Sequence, residues 1–269
     1  MTASYVHADA EPDTERARLR LLEARYDRDT FRRLAALGTL DGARCLEVGA
    51  GTGSVARWLA HRVGPGGRVV ATDRDPRLLD DLDEQGVEVR RHDILLDETE
   101  EATYDLVHCR ALLLHLPDPM LALRRMVGAL RPGGWLLVED ADYVTMVAAD
   151  PDHPLASAFD RAIADQCDAL RRAGLVDLRF GRRLPGLVSL LGLTDLGGEA
   201  TVALRRGGGF EAALLRQSLY RPPASALVAG PVTPRAVDAI VAATHDLSFG
   251  FLDALSVAAW GRKAEHLAG

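Results

Sequence analysis

The sequence predicts an α/β fold built on a doubly wound, mostly parallel sheet, and three observations carry that prediction. An apolar strand, Cys45 to Val48, runs into Gly49-Ala50-Gly51-Thr52-Gly53 just ahead of a helical pattern. A second apolar strand, Arg68 to Thr72, ends at Asp73, about 20 residues beyond the glycines, where such folds present a carboxylate to ribose hydroxyls. Helix-like and strand-like segments alternate from about residue 40 to residue 140, as in a parallel sheet with helices on both faces.

The elements follow in order. Thr14 to Leu37 places Leu19, Leu22, Tyr26, Leu34 and Leu37 at amphipathic spacing and reads as helices broken near Asp27, forming a helical cover over residues 1–40. The glycine turn comes next. Glycine tolerates positive φ and has no Cβ, so Gly49, Gly51 and Gly53 let backbone approach a nucleotide-like ligand. A short strand, Val87 to Arg90, leads to His92-Asp93-Ile94, and the strand from Tyr104 leads to His108-Cys109-Arg110. Arg131-Pro132-Gly133-Gly134 turns into a fifth strand ending near Asp140. Beyond residue 145, Leu155 to Ala173 and Leu184 to Leu191 read as helices, and Thr201 to Arg205 as a strand. After the turn Gly207-Gly208-Gly209 come two more helices, Phe210 to Leu219 and Pro234 to Thr244, and a last apolar strand, Leu255 to Trp260.

Composition bounds the function. With 269 residues and a net charge of −7, acids and bases interspersed, the chain has no basic face for nucleic acid. Cys45, Cys109 and Cys167 are too widely spaced for a disulfide framework, so a reducing cytoplasm is expected. No apolar run is long enough to cross a membrane, and the acidic start does not suit a signal peptide.

The glycine spacing then separates cofactors. A dinucleotide fingerprint runs G-x-G-x-x-G toward a pyrophosphate, whereas here glycines fall at every second residue and Glu47 precedes them. A carboxylate there repels pyrophosphate and suits a cation, although capping the turn is its alternative role. The glycine turn, Asp73, Asp93-Ile94, the Tyr104-to-Arg110 strand and Arg131-Pro132-Gly133-Gly134 together resemble the class I S-adenosylmethionine-dependent methyltransferases over about residues 40 to 145. The wider sequence is similar to actinobacterial small-molecule enzymes, many serving natural-product pathways.

The resemblance implies a Rossmann-like seven-stranded sheet over residues 41–269, mostly parallel with an antiparallel last strand. The two late strands, Thr201 to Arg205 and Leu255 to Trp260, would form its antiparallel end. Helical lid insertions would fall at about 145–190 and 207–245. It implies that Asp73 holds both ribose hydroxyls, Asp93 accepts from the adenine amino group and Ile94 packs on the ring. Ala50, Arg74, Cys109, Arg110 and Tyr26 join the cofactor-binding set, with a structural ion pair as the alternative for Arg110 and simple packing as the alternative for Tyr26. No metal is expected, because Glu139, Asp140 and Asp142 lack the pattern of the metal-dependent catechol methyltransferases.

Methyl transfer asks mainly for positioning, since near-attack placement can supply roughly 7 to 11 kcal/mol. His115, in Leu114-His115-Leu116-Pro117, is the candidate proton acceptor, with packing in its loop as the alternative. Asp142 and Tyr143 reach the same rim and are candidates to bind or deprotonate substrate. The expected reaction is methylation of a small apolar or aromatic metabolite at oxygen, nitrogen or electron-rich carbon, by a protein compatible with a homodimer. A cyclase or binding module that keeps the cofactor is the alternative, and a nicotinamide oxidoreductase a more distant one.

Overall fold

Strand β1 (Arg44–Val48) carries four consecutive buried residues and lies inside a seven-stranded sheet in the computed structural model. The structure describes residues 11–79, 82–83, 86–174, 176–218 and 234–265. On one side β1 pairs in parallel with β2 (Arg68–Asp73), and β2 with β3 (Val87–Arg91). On the other it pairs in parallel with β4 (Tyr104–Arg110), and β4 with β5 (Leu130–Asp142). The later strands are β6 (Val147–Ala148), β7 (Thr194–Thr201), β8 (Leu204–Arg206), β9 (Gly250–Leu252) and β10 (Leu255–Arg262). The large sheet runs β3-β2-β1-β4-β5-β10-β7, with β10 antiparallel to both neighbours. This is the Rossmann-like sheet with an antiparallel last strand. A small sheet, β6-β9-β8, lies apart from it.

Helices cover both faces. α1 (Pro12–Ala36) and α2 (Ser54–Val63) lie over one core, in which Leu34, Val55, Leu59 and Val63 meet Val69, Leu106 and Leu137. α3 (Pro119–Ala129), α4 (Ala156–Arg172), α5 (Leu184–Ser189), α6 (Phe210–Ser218) and α7 (Pro234–His245) contribute to the other, which centres on Leu123, Met126, Phe159, Ile163 and Leu184. Strand order reverses between β1 and β4, so the crevice opens at their carboxyl ends.

Two elements depart from the sequence reading. α1 is one continuous helix, with no break at Asp27. Proline starts it, Asp13 and Glu15 occupy its first turn and Arg33 its last, each matching the helix dipole. Asp27 causes no break because its carboxylate accepts from Ser54 Oγ and Arg110, both at 2.9 Å. The second departure is the sheet's edge strand, which is Thr194–Thr201 rather than Thr201 to Arg205. Leu204–Arg206 belongs to the small sheet instead. Residues 145–190 hold β6, α4 and α5; of residues 207–245, Leu219 and the rest of 219–233 lie outside the described residues.

Candidate active site

The turn after β1 is folded tightly onto β2. The Gly49 and Ala50 amides both donate to the Thr72 carbonyl, at 2.8 and 3.0 Å. Gly49 has φ of +73°, and a Cβ there would stand 3.1 Å from the Leu112 side chain, so glycine keeps the β1 and β4 loops in close approach. From outside, Glu23 of α1 accepts from the Thr52 hydroxyl and from the Ser54 amide at 3.1 Å. It supplies the N-cap that Gly53 lacks, where a carboxylate also suits the helix dipole.

A cavity of about 550 Å³ occupies the crevice, within the usual range for small-molecule sites. One end is polar. Glu47, Gly49, Ala50, Gly51, Asp73, Arg74, Asp93 and Ile94 line it. Asp73 accepts from the Gly51 amide at 3.1 Å and the Asp75 amide at 3.0 Å, one on each oxygen. Each oxygen keeps a lone pair for a further donor. Burial raises the Asp73 carboxyl above its ordinary value, against those two amides. Asp93 accepts from the Leu95 amide at 2.9 Å and its own amide donates to Asp97 at 2.7 Å, which fixes the turn.

The other end is apolar. Leu114, Leu116, Leu170, Val176 and Leu178 line it, together with His115 and Tyr143, while Leu112, packed on Gly49, and Tyr26 of α1 line the cavity as well. His115 closes a short 3-10 turn, Leu113–His115, held from beneath by the Leu114 amide donating to Asp140 at 3.2 Å. Tyr143 is anchored through its amide to the Leu178 carbonyl at 2.8 Å. Burial raises the Tyr26 and Tyr143 hydroxyls, so both stay protonated donors near neutral pH. The Tyr26 hydroxyl is buried with no hydrogen-bond partner among the described residues, and the Arg25 guanidinium lies 4.6 Å from its ring.

Beneath the polar end lies a charged network that sequence reasoning did not assemble. His108 on β4 is fully buried; its Nδ1 is 2.6 Å from Glu47 and its Nε2 3.4 Å from Glu139 on β5. Glu139 also accepts from Arg33 at 2.7 Å and from the Thr30 hydroxyl, both on α1. Burial alone would lower the His108 pKa, but the two carboxylates outweigh it and raise it to about 9. The same contacts, with Arg110 and Arg33, overcome burial at Glu139 and hold it at about 2. Histidine and glutamate inside apolar strands were the available signal, but only strand register puts them side by side.

Three candidates stand away from the cavity. Cys109 faces the core below the sheet, fully buried. Asp142 is also buried, its carboxylate taken by the Val144 amide at 3.1 Å and by Arg182. Gly53 packs on Leu82, which a Cβ would approach to 2.5 Å. Arg110 does line the cavity, yet its guanidinium is committed to Asp27 and Thr30, each at 2.9 Å, so it ties α1 to β4. Glu139 and Asp140, neighbours in sequence, serve opposite sides of the sheet.

Comparison with known proteins gives a consistent picture. A family model described as a methyltransferase domain matches residues 18–177, more than half of the chain. Methyltransferase str2 of Strobilurus tenacellus is 37% identical over 103 residues, covering 37% of this chain and 36% of its own. The ubiquinone biosynthesis O-methyltransferase of Aeromonas salmonicida is 34% identical over 108 residues, 38% of this chain and 44% of its own. The chain thus spans about half or less of the curated relatives it matches. Among solved structures, the [4+2]-cyclase SpnF has a TM-score of 0.51 at 19% identity, with 88% of this chain and 81% of that one covered, a likeness of fold alone.

Proposed function

The chain belongs to the methyltransferase domain family, and from that premise we propose that it uses S-adenosylmethionine to methylate a small apolar or aromatic metabolite. One observation supports this above the rest. One cavity is lined both by Glu47, the glycine turn, Asp73 and Asp93 and by a cluster of leucines with His115 and Tyr143.

The residues present fit the cofactor. Asp73 retains acceptor capacity on both oxygens for ribose hydroxyls, Asp93 lines the cavity as the acceptor for an adenine amino group, and Ile94 offers an apolar face. Glu47 supplies negative charge beside the glycine turn for a sulfonium or ammonium group. The unpartnered Tyr26 hydroxyl meets the cavity where a carboxylate of the ligand would satisfy it. When bound, the cofactor supplies an electrophilic methyl group on sulfur.

The chain's own part is positioning and proton transfer. The leucine-lined end excludes water and holds an apolar acceptor, while α1 closes over both ends. His115 takes the acceptor's proton, which suits a hydroxyl, and Tyr143 orients it by donating a hydrogen bond. The acidic, lysine-poor chain suits a cytoplasmic enzyme of actinobacterial natural-product type, with no nucleic-acid or membrane partner. The test is formation of S-adenosylhomocysteine when the protein is mixed with S-adenosylmethionine and a bank of phenolic and indolic acceptors. Product with an aromatic hydroxyl supports the reading. Tight cofactor binding with no product from any acceptor would favour a cyclase or binding module.

A further inference from the structure

We propose that His108 is a positioning residue for the cofactor: clamped between Glu47 and Glu139, it keeps Glu47 charged at the cavity wall and ties that carboxylate to helix α1. The proposal rests on the cofactor reading above. Both ring nitrogens face carboxylate oxygens, Nδ1 to Glu47 at 2.6 Å and Nε2 to Glu139 at 3.4 Å. A neutral imidazole donates through one nitrogen only and would turn a lone pair on the other carboxylate. Only the doubly protonated ring satisfies both sides, and the pKa of about 9 agrees.

The charged groups that face the ring are the carboxylates of Glu47 of β1 and Glu139 of β5. Arg33 of α1 and Arg110 of β4 act on Glu139, but each also binds a second carboxylate, Glu199 of β7 and Asp27 of α1 respectively. Glu47 is 3% exposed and Glu139 2%, so neither is shielded from the other by solvent. Without the His108 charge, Glu139 keeps Arg33 at 2.7 Å whereas Glu47 loses the cation that faces it, so Glu47 is the carboxylate driven toward its protonated form. Because Thr30 and Arg33 hold Glu139, the charge that faces the cofactor and the helix that covers it belong to one network.

The test is calorimetric titration of wild type, His108→Asn and His108→Asn/Glu139→Gln between pH 6 and pH 8. The probes are S-adenosylhomocysteine, which carries an ammonium group, and adenosine, which does not. Asparagine keeps an N–H donor near Nδ1 but no charge. Wild-type affinity for S-adenosylhomocysteine should change less than about twofold across this range, whereas His108→Asn should bind about tenfold more weakly at pH 6 than at pH 8. Adenosine should bind all three proteins alike, and the double variant, relieved of the second carboxylate, should regain affinity independent of pH. Equal affinity of His108→Asn and wild type at every pH would overturn the proposal. So would equal losses for adenosine, which would make His108 a packing residue, or a double variant no better than the single one. Should His108→Asn fail to fold, nitrogen chemical shifts of the wild-type histidines decide it. A buried ring doubly protonated from pH 6 to pH 8 is expected, and a neutral one at pH 7 refutes the proposal. Failure of wild type to bind S-adenosylhomocysteine would instead remove the cofactor reading itself.

Discussion

Replacing Asp73 by alanine perturbs the polar end of the cavity at its best-defined point. In the native protein the carboxylate already accepts two amides, from Gly51 and Asp75, at 3.1 and 3.0 Å. A ribose diol would add two charge-assisted bonds, and bonds to a charged acceptor contribute about 1.5 to 3 kcal/mol each in well-shielded sites. Asp73 is only partly buried, which reduces that sum. A net loss of about 1 to 3 kcal/mol, roughly 5- to 150-fold in affinity, is therefore expected. The freed Gly51 and Asp75 amides can turn to water, so the unliganded protein should melt within a few degrees of wild type. Titration with S-adenosylhomocysteine and a melting curve without ligand read the two quantities separately. An affinity within twofold of wild type would refute the ribose role. A large fall in melting temperature alone would show that Asp73 chiefly holds the glycine turn.

Three further outcomes are expected. His115→Ala should lower turnover by about 10² to 10⁴ fold while leaving cofactor affinity within twofold, and unchanged turnover on an aromatic hydroxyl would make His115 structural. Arg110→Met should destabilise the fold by about 1 to 2 kcal/mol in urea unfolding by stranding Asp27, with part recovered in Asp27→Asn/Arg110→Met; strictly additive losses would show that the pair does not couple. His108 has a raised folded-state pKa of about 9, so its stabilisation is full below about 6.5 and is lost as pH rises through about 9. The stability gap between wild type and His108→Asn should therefore shrink by up to about 3 kcal/mol from pH 6.5 to pH 9.5, and a constant gap would contradict the charged state.

Much of the fold was legible because its inner strands are apolar runs that end in turns. Cys45 to Val48, Val69 to Ala71 and Leu136 to Val138 are buried from both sides, and the polar residues at their carboxyl ends converge by topology. The edge strand was not legible. Thr194–Thr201 has no apolar alternation and carries Gly197 and Gly198, since only an exposed rim must be covered. A Cβ at Gly197 would stand 2.4 Å from the Trp260 indole, so the glycine that obscures the strand is required by its partner.

The inner face of α1 misled for a related reason. It buries Glu15, Arg18, Thr30 and Arg33 alongside Tyr26 and Leu34, because most of its length lies over a cavity and charged strand ends and only its last turns, at Phe31, Leu34 and its C-cap Leu37, meet the apolar core. Hydrophobic spacing alone therefore suggested a break where a polar contact was needed. At the site, residues that follow strands fell where the topology sends them. Cys109 stands away because the alternation of a strand turns it to the face opposite His108 and Arg110, and Asp142, which shares a face with Asp140, because the Val144 amide and Arg182 hold its carboxylate.

The most direct measurement is calorimetric titration of the wild-type protein with S-adenosylhomocysteine, beside the reduced nicotinamide dinucleotide. Saturable micromolar binding of the first alone is the expected result. No binding of it by a folded protein, or binding of the dinucleotide in its place, would contradict the methyltransferase account.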